Sequence, residues 1–285
     1  MTYFLTIVAP DVLPDLSHVI NGQIKITTLS ENRAVDIPIS EPMSKAQIDT
    51  LRERLFCDIF ITSAKNRKKK LFLADMDSTI VASETLDELA GFAGVKDKVS
   101  AITARSMAGE IDFETSLRER VALLEGMQSS HMQTILDQTE LNDGAEILLK
   151  TLKAQGVYTV LISGGFTFYT ESIAAKIGFD AHHGNVLEIF NGQLSGKVVP
   201  PILGPDAKLS YLQQYVQKLG LTADDVLAVG DGANDRFMLE RAALGVGYAP
   251  KPLLQEILLN QIHYTDLTSL LYAQGYNDQE IYDIE

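Results

Sequence analysis

Leu71-Phe72-Leu73-Ala74-Asp75-Met76-Asp77-Ser78-Thr79 decides the reading of this chain, because an apolar run passes straight into two acids. A short apolar run that ends in polar groups predicts a buried parallel strand, which delivers its last side chains to the edge of a sheet. Residues 158–163, 226–231 and 244–248 have the same form, with helical periods between them. The alternation predicts an α/β fold, a doubly wound parallel sheet with its reactive groups at the carboxyl ends of the strands. Residues 82–140 hold several helical periods and no convincing strand, so a helical cap inserted over that edge is expected. Asn191-Gly192, between apolar residues 186–190 and 193–199, signals a hairpin.

Upstream the pattern is different. Residues 3–8 and 23–29 read as strands, with a helix over 11–20 between them carrying Val12, Leu13, Leu16, Val19 and Ile20 on one face. A third strand alternates through Val35, Ile37 and Ile39. Ser44 and Gln47 then form a capping-box pattern before a helix bearing Ile48, Leu51 and Leu55, and residues 57–62 close with a strand. The order βαββαβ predicts a small ferredoxin-like α+β domain over residues 1–64. Residues 65–70, five of them basic, read as a solvated linker rather than a nucleic-acid patch, since no aromatics interleave. The larger α/β core then spans 71–285.

Composition narrows the function. Twenty-four basic against thirty-eight acidic residues give a net charge of −14, which disfavours nucleic acid and anionic membrane as partners. A single cysteine, Cys57, excludes an intrachain disulfide, and no apolar stretch approaches the ~20 residues of a membrane span. A cytoplasmic protein is expected.

The acids carry the chemistry. Two carboxylates at a strand end are costly to bury unless a hard cation such as Mg²⁺ joins them, and acids two residues apart can divide the work of nucleophile and general acid and base. An Asp turn is the alternative for Asp75 and Asp77. Asp231, in Gly230-Asp231-Gly232-Ala233-Asn234-Asp235, stands where a further metal ligand would belong; a Gly-Asp turn, with Asn234 in the turn and Asp235 favouring a helix start, reads equally well. Ser163-Gly164-Gly165 offers a hydroxyl and backbone N–H groups to phosphoryl oxygens. Lys208, in the first turn of a helix expected over 207–219, opposes the helix dipole, as a cation serving an anion or as a solvated lysine. In the cap, Phe113, Leu117, Val121 and Leu124 form an apolar face that also includes Arg120, a guanidinium that there needs a partner, as in an internal ion pair, or has to snorkel. His182 and His183 lack ligand spacing and are expected in a loop or at the surface.

Taken in order, Asp75-Met76-Asp77-Ser78-Thr79, Ser163-Gly164-Gly165-Phe166, Lys208 and Gly230-Asp231 through Asp235 resemble the haloacid dehalogenase superfamily over residues 71 to about 250. Within it, the stretch from Gly109 to Val121 resembles the phosphoserine phosphatase branch. The resemblance implies Mg²⁺-dependent hydrolysis of O-phospho-L-serine through an aspartyl-phosphate, the last step of serine biosynthesis. It implies Asp75 as nucleophile, Asp77 as general acid and base, and Asp75, the Asp77 carbonyl and Asp231 as metal ligands. Ser163, Lys208, Gly164 and Asn234 would serve the phosphate end, with Asp235 in support. Arg120 would bind the substrate carboxylate and Glu84 its ammonium, with Phe113 and Met107 shielding them. Competing readings are a phosphatase for another small phosphomonoester and a noncatalytic serine-sensing protein. The N-terminal unit resembles an ACT domain in strand order, but has Ala9-Pro10-Asp11 where many relatives have a glycine, so a structural role or homodimer formation competes with effector binding.

Overall fold

The computed structural model describes residues 2–17, 26–107 and 110–284, with Met107 described in its main chain only. Strands β1 (Tyr3–Val8), β2 (Thr27–Ser30), β3 (Ala34–Ile39), helix α1 (Lys45–Leu55) and strand β4 (Asp58–Ser63) make up the N-terminal unit. Its strands stand in the order β2-β3-β1-β4, every pair antiparallel, the arrangement of a ferredoxin-like sheet. The capping box forms as the sequence predicts, Ser44 and Gln47 satisfying each other's backbone N–H groups at the head of α1. The helix expected over 11–20 does not form across its described part, 11–17. Pro14 lacks a donor, the Leu13 N–H goes instead to the Asn32 carbonyl at 2.7 Å, and Asp15 binds the Ser17 N–H at 2.9 Å. Leu13 and Leu16 still pack on the core beneath this sheet. Residues 18–20 of that helix and 23–25 of the following strand lie outside the described residues.

The rest follows in order: β5 (Leu71–Ala74), α2 (Thr85–Phe92), α3 (Lys96–Met107), α4 (Phe113–Ala122), α5 (Ser130–Gln138), α6 (Ala145–Ala154), β6 (Tyr158–Phe166), α7 (Thr167–Ile177), β7 (Ala181–Phe190), β8 (Gln193–Val199), α8 (Pro205–Lys218), β9 (Val226–Gly230), α9 (Arg236–Arg241), β10 (Leu244–Tyr248), α10 (Pro252–Ile257), β11 (Asn260–Ile262), α11 (Ser269–Ala273) and α12 (Asp278–Tyr282). Strands β11-β10-β9-β5-β6-β7 run parallel, and β8 adds an antiparallel edge through a hairpin whose turn residues Asn191 and Gly192 both have positive φ. Every residue of β5 is 0% exposed. Phe72 and Ala74 face one apolar core while Leu71 and Leu73 face the other, so the sheet is covered on both sides. Helices α2 to α5 form the insertion expected over 82–140. No helix among the described residues is long and apolar enough to cross a membrane.

The linker is solvent-exposed at Lys65, Asn66, Lys68 and Lys70, as expected, but the small unit does not hang free on it. β4 pairs antiparallel with β11 at Ile59 and Gln261, so among the described residues one sheet of eleven strands runs through both parts. Asn260 extends that pairing with its side chain, bonding the Ile61 N–H at 2.8 Å, and buried Asp58 accepts the N–H groups of His263 and Thr265. The basic run lies along this seam. Lys65 reaches Asp224, Lys68 reaches Glu280, Lys70 reaches Asp225, and Lys69 donates to the carbonyls of Asn66 and Asp224. Arg67 grips Asp36 with two bonds, at 2.5 and 2.7 Å, and also binds Thr6, Thr62 and the Ala273 carbonyl. Charge complementarity to acids far away in sequence explains the run, which the local pattern could not reveal.

His182 and His183 are likewise corrected: both lie in β7, half buried. His183 stacks on Tyr211 at 3.8 Å and bonds the Tyr215 hydroxyl at 2.9 Å. Burial, aided by His182 and Lys218, pushes the His183 imidazole down to about 4. The folded protein therefore refuses a proton that the unfolded chain accepts near pH 6.5. The resulting stability is full above that pH and is lost as pH falls toward 4, by on the order of 1–2 kcal/mol. The expected observation is a His183 ring-proton NMR shift that stays flat from pH 8 to 5.

Candidate active site

Asp75 and Asp231 are the first residues beyond the adjacent parallel strands β5 and β9, and Ser163 lies toward the end of β6 on the other side of β5. Sheet topology alone therefore brings three distant segments to one edge. After Asp75 the chain winds around the Met76 carbonyl, which accepts the N–H groups of Thr79, Ile80 and Val81 at 3.2, 2.9 and 3.0 Å, with Ser78 at a φ of 55°. This turn leaves Asp77 facing the same cleft. Its Oδ1 accepts the Thr85 N–H at 2.8 Å, and its Oδ2 accepts the Ser163 hydroxyl at 2.8 Å. The Ser163 Oγ in turn accepts the Gly165 N–H at 2.7 Å. A Cβ on Gly165 would stand 2.9 Å from Asp77 Oδ2, so the close approach requires glycine.

Lys208 is 3% exposed and is not the solvated lysine that its position in α8 also allowed. Its ammonium lies 2.7 Å from Asp75 Oδ1 and bonds Asp235 as well. Burial alone would lower it, but these two carboxylates outweigh that cost and keep it charged well above the ordinary lysine range. Asp235 is 0% exposed in space that Gly230 leaves free, a Cβ there falling 2.3 Å from the Asp235 Cγ. Burial and the charge of Asp75 push the Asp235 carboxyl up. Burial, partly offset by the Thr85 N–H and reinforced by Asp75 and Glu84, raises Asp77 to about 6.

Above this edge the cap closes a cleft lined by Asp75, Asp77, Glu84, Phe113, Arg120, Ser163, Gly164, Asp231 and Asn234 among others. Asp112 caps α4 through the Thr115 N–H at 2.7 Å, which starts the helix at Phe113 and turns Phe113, Leu117 and Arg120 inward. Arg120 donates to its own helix at Ser116 but makes no ion pair among the described residues. Burial draws its guanidinium down, against the nearby charges of Asp87 and Glu84. Met107 closes α3, and its side chain lies outside the described residues.

Residues 69–243 match the family model of haloacid dehalogenase-like hydrolases. The chain belongs to the haloacid dehalogenase-like hydrolases. A phosphoserine phosphatase of Archaeoglobus fulgidus is 41% identical over 220 residues; the match covers 76% of this chain and only 64% of that protein's length. Among solved structures, a family hydrolase of Salmonella enterica serovar Typhi superposes with a TM-score of 0.87 at 26% identity, covering 95% of this chain and 98% of its own. A phosphoserine phosphatase bearing a phospho-aspartyl intermediate analogue superposes at 0.67 with 38% identity, covering 72% of this chain and 98% of its own.

This hydrolase carries a donor set that fits a divalent cation. Asp75, Asp231 and Asp235, at most 4% exposed, each offer a carboxylate oxygen within 4.8 Å of the others, and hard cations favour such oxygens. Burial and Asp75 raise the Asp231 carboxyl, the electrostatic crowding a cation would relieve. The Asp77 carboxylate points instead to Thr85 and Ser163.

Two contributors escaped the sequence reading. Lys251, beyond β10, bonds Asp231 at 2.9 Å and Glu84 at 3.2 Å. Asn185 on β7, 0% exposed, bonds the Gly164 carbonyl and the Leu203 N–H, both at 2.8 Å, and so ties the Ser163-Gly164-Gly165 segment to the loop before α8. A lysine before Pro252, where a strand end meets a helix start, was the only available signal for the first; nothing local marked the second.

Proposed function

We propose that this hydrolase cleaves O-phospho-L-serine to L-serine and phosphate with Mg²⁺ as cofactor. The observation that carries the substrate is Arg120: a half-buried guanidinium without an ion pair among the described residues, in the cleft that also holds Asp75 and Glu84. A planar carboxylate suits it through two parallel bonds, and Glu84 suits an ammonium.

Asp75 attacks phosphorus, forming the Asp75–phosphate bond as the serine oxygen leaves. Asp77 gives that oxygen a proton, then takes one from the water that hydrolyses the aspartyl-phosphate. A group brought to about 6 can do both near neutral pH. Ser163, the Gly164 backbone and Lys208 hold the phosphoryl oxygens, fixed beforehand by the contacts described above. Mg²⁺ would be held by Asp75, the Asp77 carbonyl and Asp231, and would neutralise charge on the transferring phosphoryl group. Phe113 narrows the mouth of the cleft.

Phosphate release from L-phosphoserine beside a panel of phosphomonoesters, with Mg²⁺ and with chelator, tests this. Rapid release from phosphoserine, abolished by chelator, is expected; no release from any monoester would return the chain to a noncatalytic sensing role. For Arg120→Ala, kcat/KM should fall about 100-fold on phosphoserine and less than about threefold on a generic aryl phosphate. Equal losses would remove the carboxylate role.

A further inference from the structure

Lys251 touches both ends of the cleft. Its main-chain N–H donates to the Asp231 carbonyl at 2.8 Å, and Pro252 begins α10 immediately after it, so the root of the side chain is pinned by the fold. The ammonium then reaches Asp231 Oδ2 at 2.9 Å and Glu84 Oε1 at 3.2 Å. Glu84 Oε1 also accepts the Ser78 hydroxyl at 2.9 Å. Asp75, Asp77, Glu84, Asp231 and Asp235 converge on this region, and Lys208 is already engaged by Asp75 and Asp235. Among the described residues, Lys251 is the cation paired with Glu84.

That pairing has a chemical meaning if Glu84 receives the ammonium of an amino-acid ester, and the inference rests on that reading. The end of a lysine side chain is a primary alkylammonium, the same group the ester would bring. We infer that Lys251 stands in for the substrate ammonium at Glu84 and thereby sets how strictly the site demands an amine. With Lys251 in place, an ester lacking the amine meets a neutralised Glu84, whereas the ammonium of phosphoserine has to share or displace the resident one. Without Lys251, Glu84 is a bare carboxylate that repels an amine-free anion and accepts an ammonium unopposed. Lys251 is thus a specificity-setting residue that takes no part in bond making.

The test compares the natural protein with Lys251→Met and Lys251→Arg on two esters, L-phosphoserine and 3-phosphooxypropanoate, which has hydrogen in place of the amine. Lys251→Met should raise the ratio of kcat/KM for phosphoserine over the amine-free ester by about tenfold, chiefly through KM, and Lys251→Arg should leave it within about twofold. Calorimetric titration of both esters in chelator, where no turnover is expected, should show the same change in the ratio of Kd values. Lys251→Gln gives a second neutral variant should Lys251→Met fail to fold. A ratio that is unchanged or falls overturns the inference. If the natural protein releases phosphate from neither ester, the phosphatase reading fails by itself, and the calorimetric ratio still decides the role of Lys251.

Discussion

Asp75→Asn should reduce phosphate release from phosphoserine by more than about 10⁴-fold while leaving the fold intact. The substitution keeps the shape of the side chain and removes the anionic oxygen that would bond phosphorus. Asp75 also raises the carboxyl groups of its neighbours: Asp77, Asp231 and Asp235 are all pushed up in part by its charge. Removing that charge relieves repulsion among buried acids, and Lys208 keeps Asp235 as a partner. The thermal midpoint of the metal-free variant should therefore match or exceed that of the natural protein. Turnover above about 1% of normal, in a preparation shown by mass spectrometry to carry asparagine, would end the covalent scheme. A lowered midpoint would contradict the account of crowding.

Arg67→Ala should destabilise the protein by about 3–5 kcal/mol, the usual cost of stripping one partner from a buried ion pair. The Asp36 side chain is 4% exposed and the Arg67 side chain 13%, so solvent replaces little of what is lost. Thr6 would still donate to Asp36, yet one hydroxyl cannot balance a buried carboxylate. The Ala273 carbonyl and the Phe4 ring, under the guanidinium at 4.2 Å, lose contacts as well. Urea unfolding measures the effect. In Arg67→Ala combined with Asp36→Asn a substantial part of the loss should return, because the stranded charge is gone; a double variant as unstable as the sum of the two singles would place the cost elsewhere.

Both predictions show which features can be read along a chain. The parallel strands and their terminal acids were legible because burial on both faces forces apolar runs, and those runs stop where Asp75 and Asp231 begin. The cap was legible through the period of Phe113, Leu117 and Val121, and Arg120 drew attention by interrupting an apolar face. The partners of Arg67 were not legible, since Asp36 is thirty-one residues upstream and Ala273 more than two hundred downstream. Lys251 was hidden for the same reason: its partners Asp231 and Glu84 come from two other segments. The helix expected over 11–20 failed on a competition that periodicity does not register, since Leu13 and Leu16 reach their core from an irregular backbone once Asn32 supplies an acceptor.

The seam between β4 and β11 bears on how the molecule comes apart. Without the N-terminal unit the parallel strands would end in the open edge of β11. That edge is built to be covered: Asn260 and the N–H groups of His263, Tyr264 and Thr265 all direct their bonds to residues of β4. Cutting the chain after residue 64 would strand those donors and bare the sheet edge. The two parts should accordingly melt as a single cooperative unit, with one heat-capacity peak, and their boundary is a poor place to divide the gene.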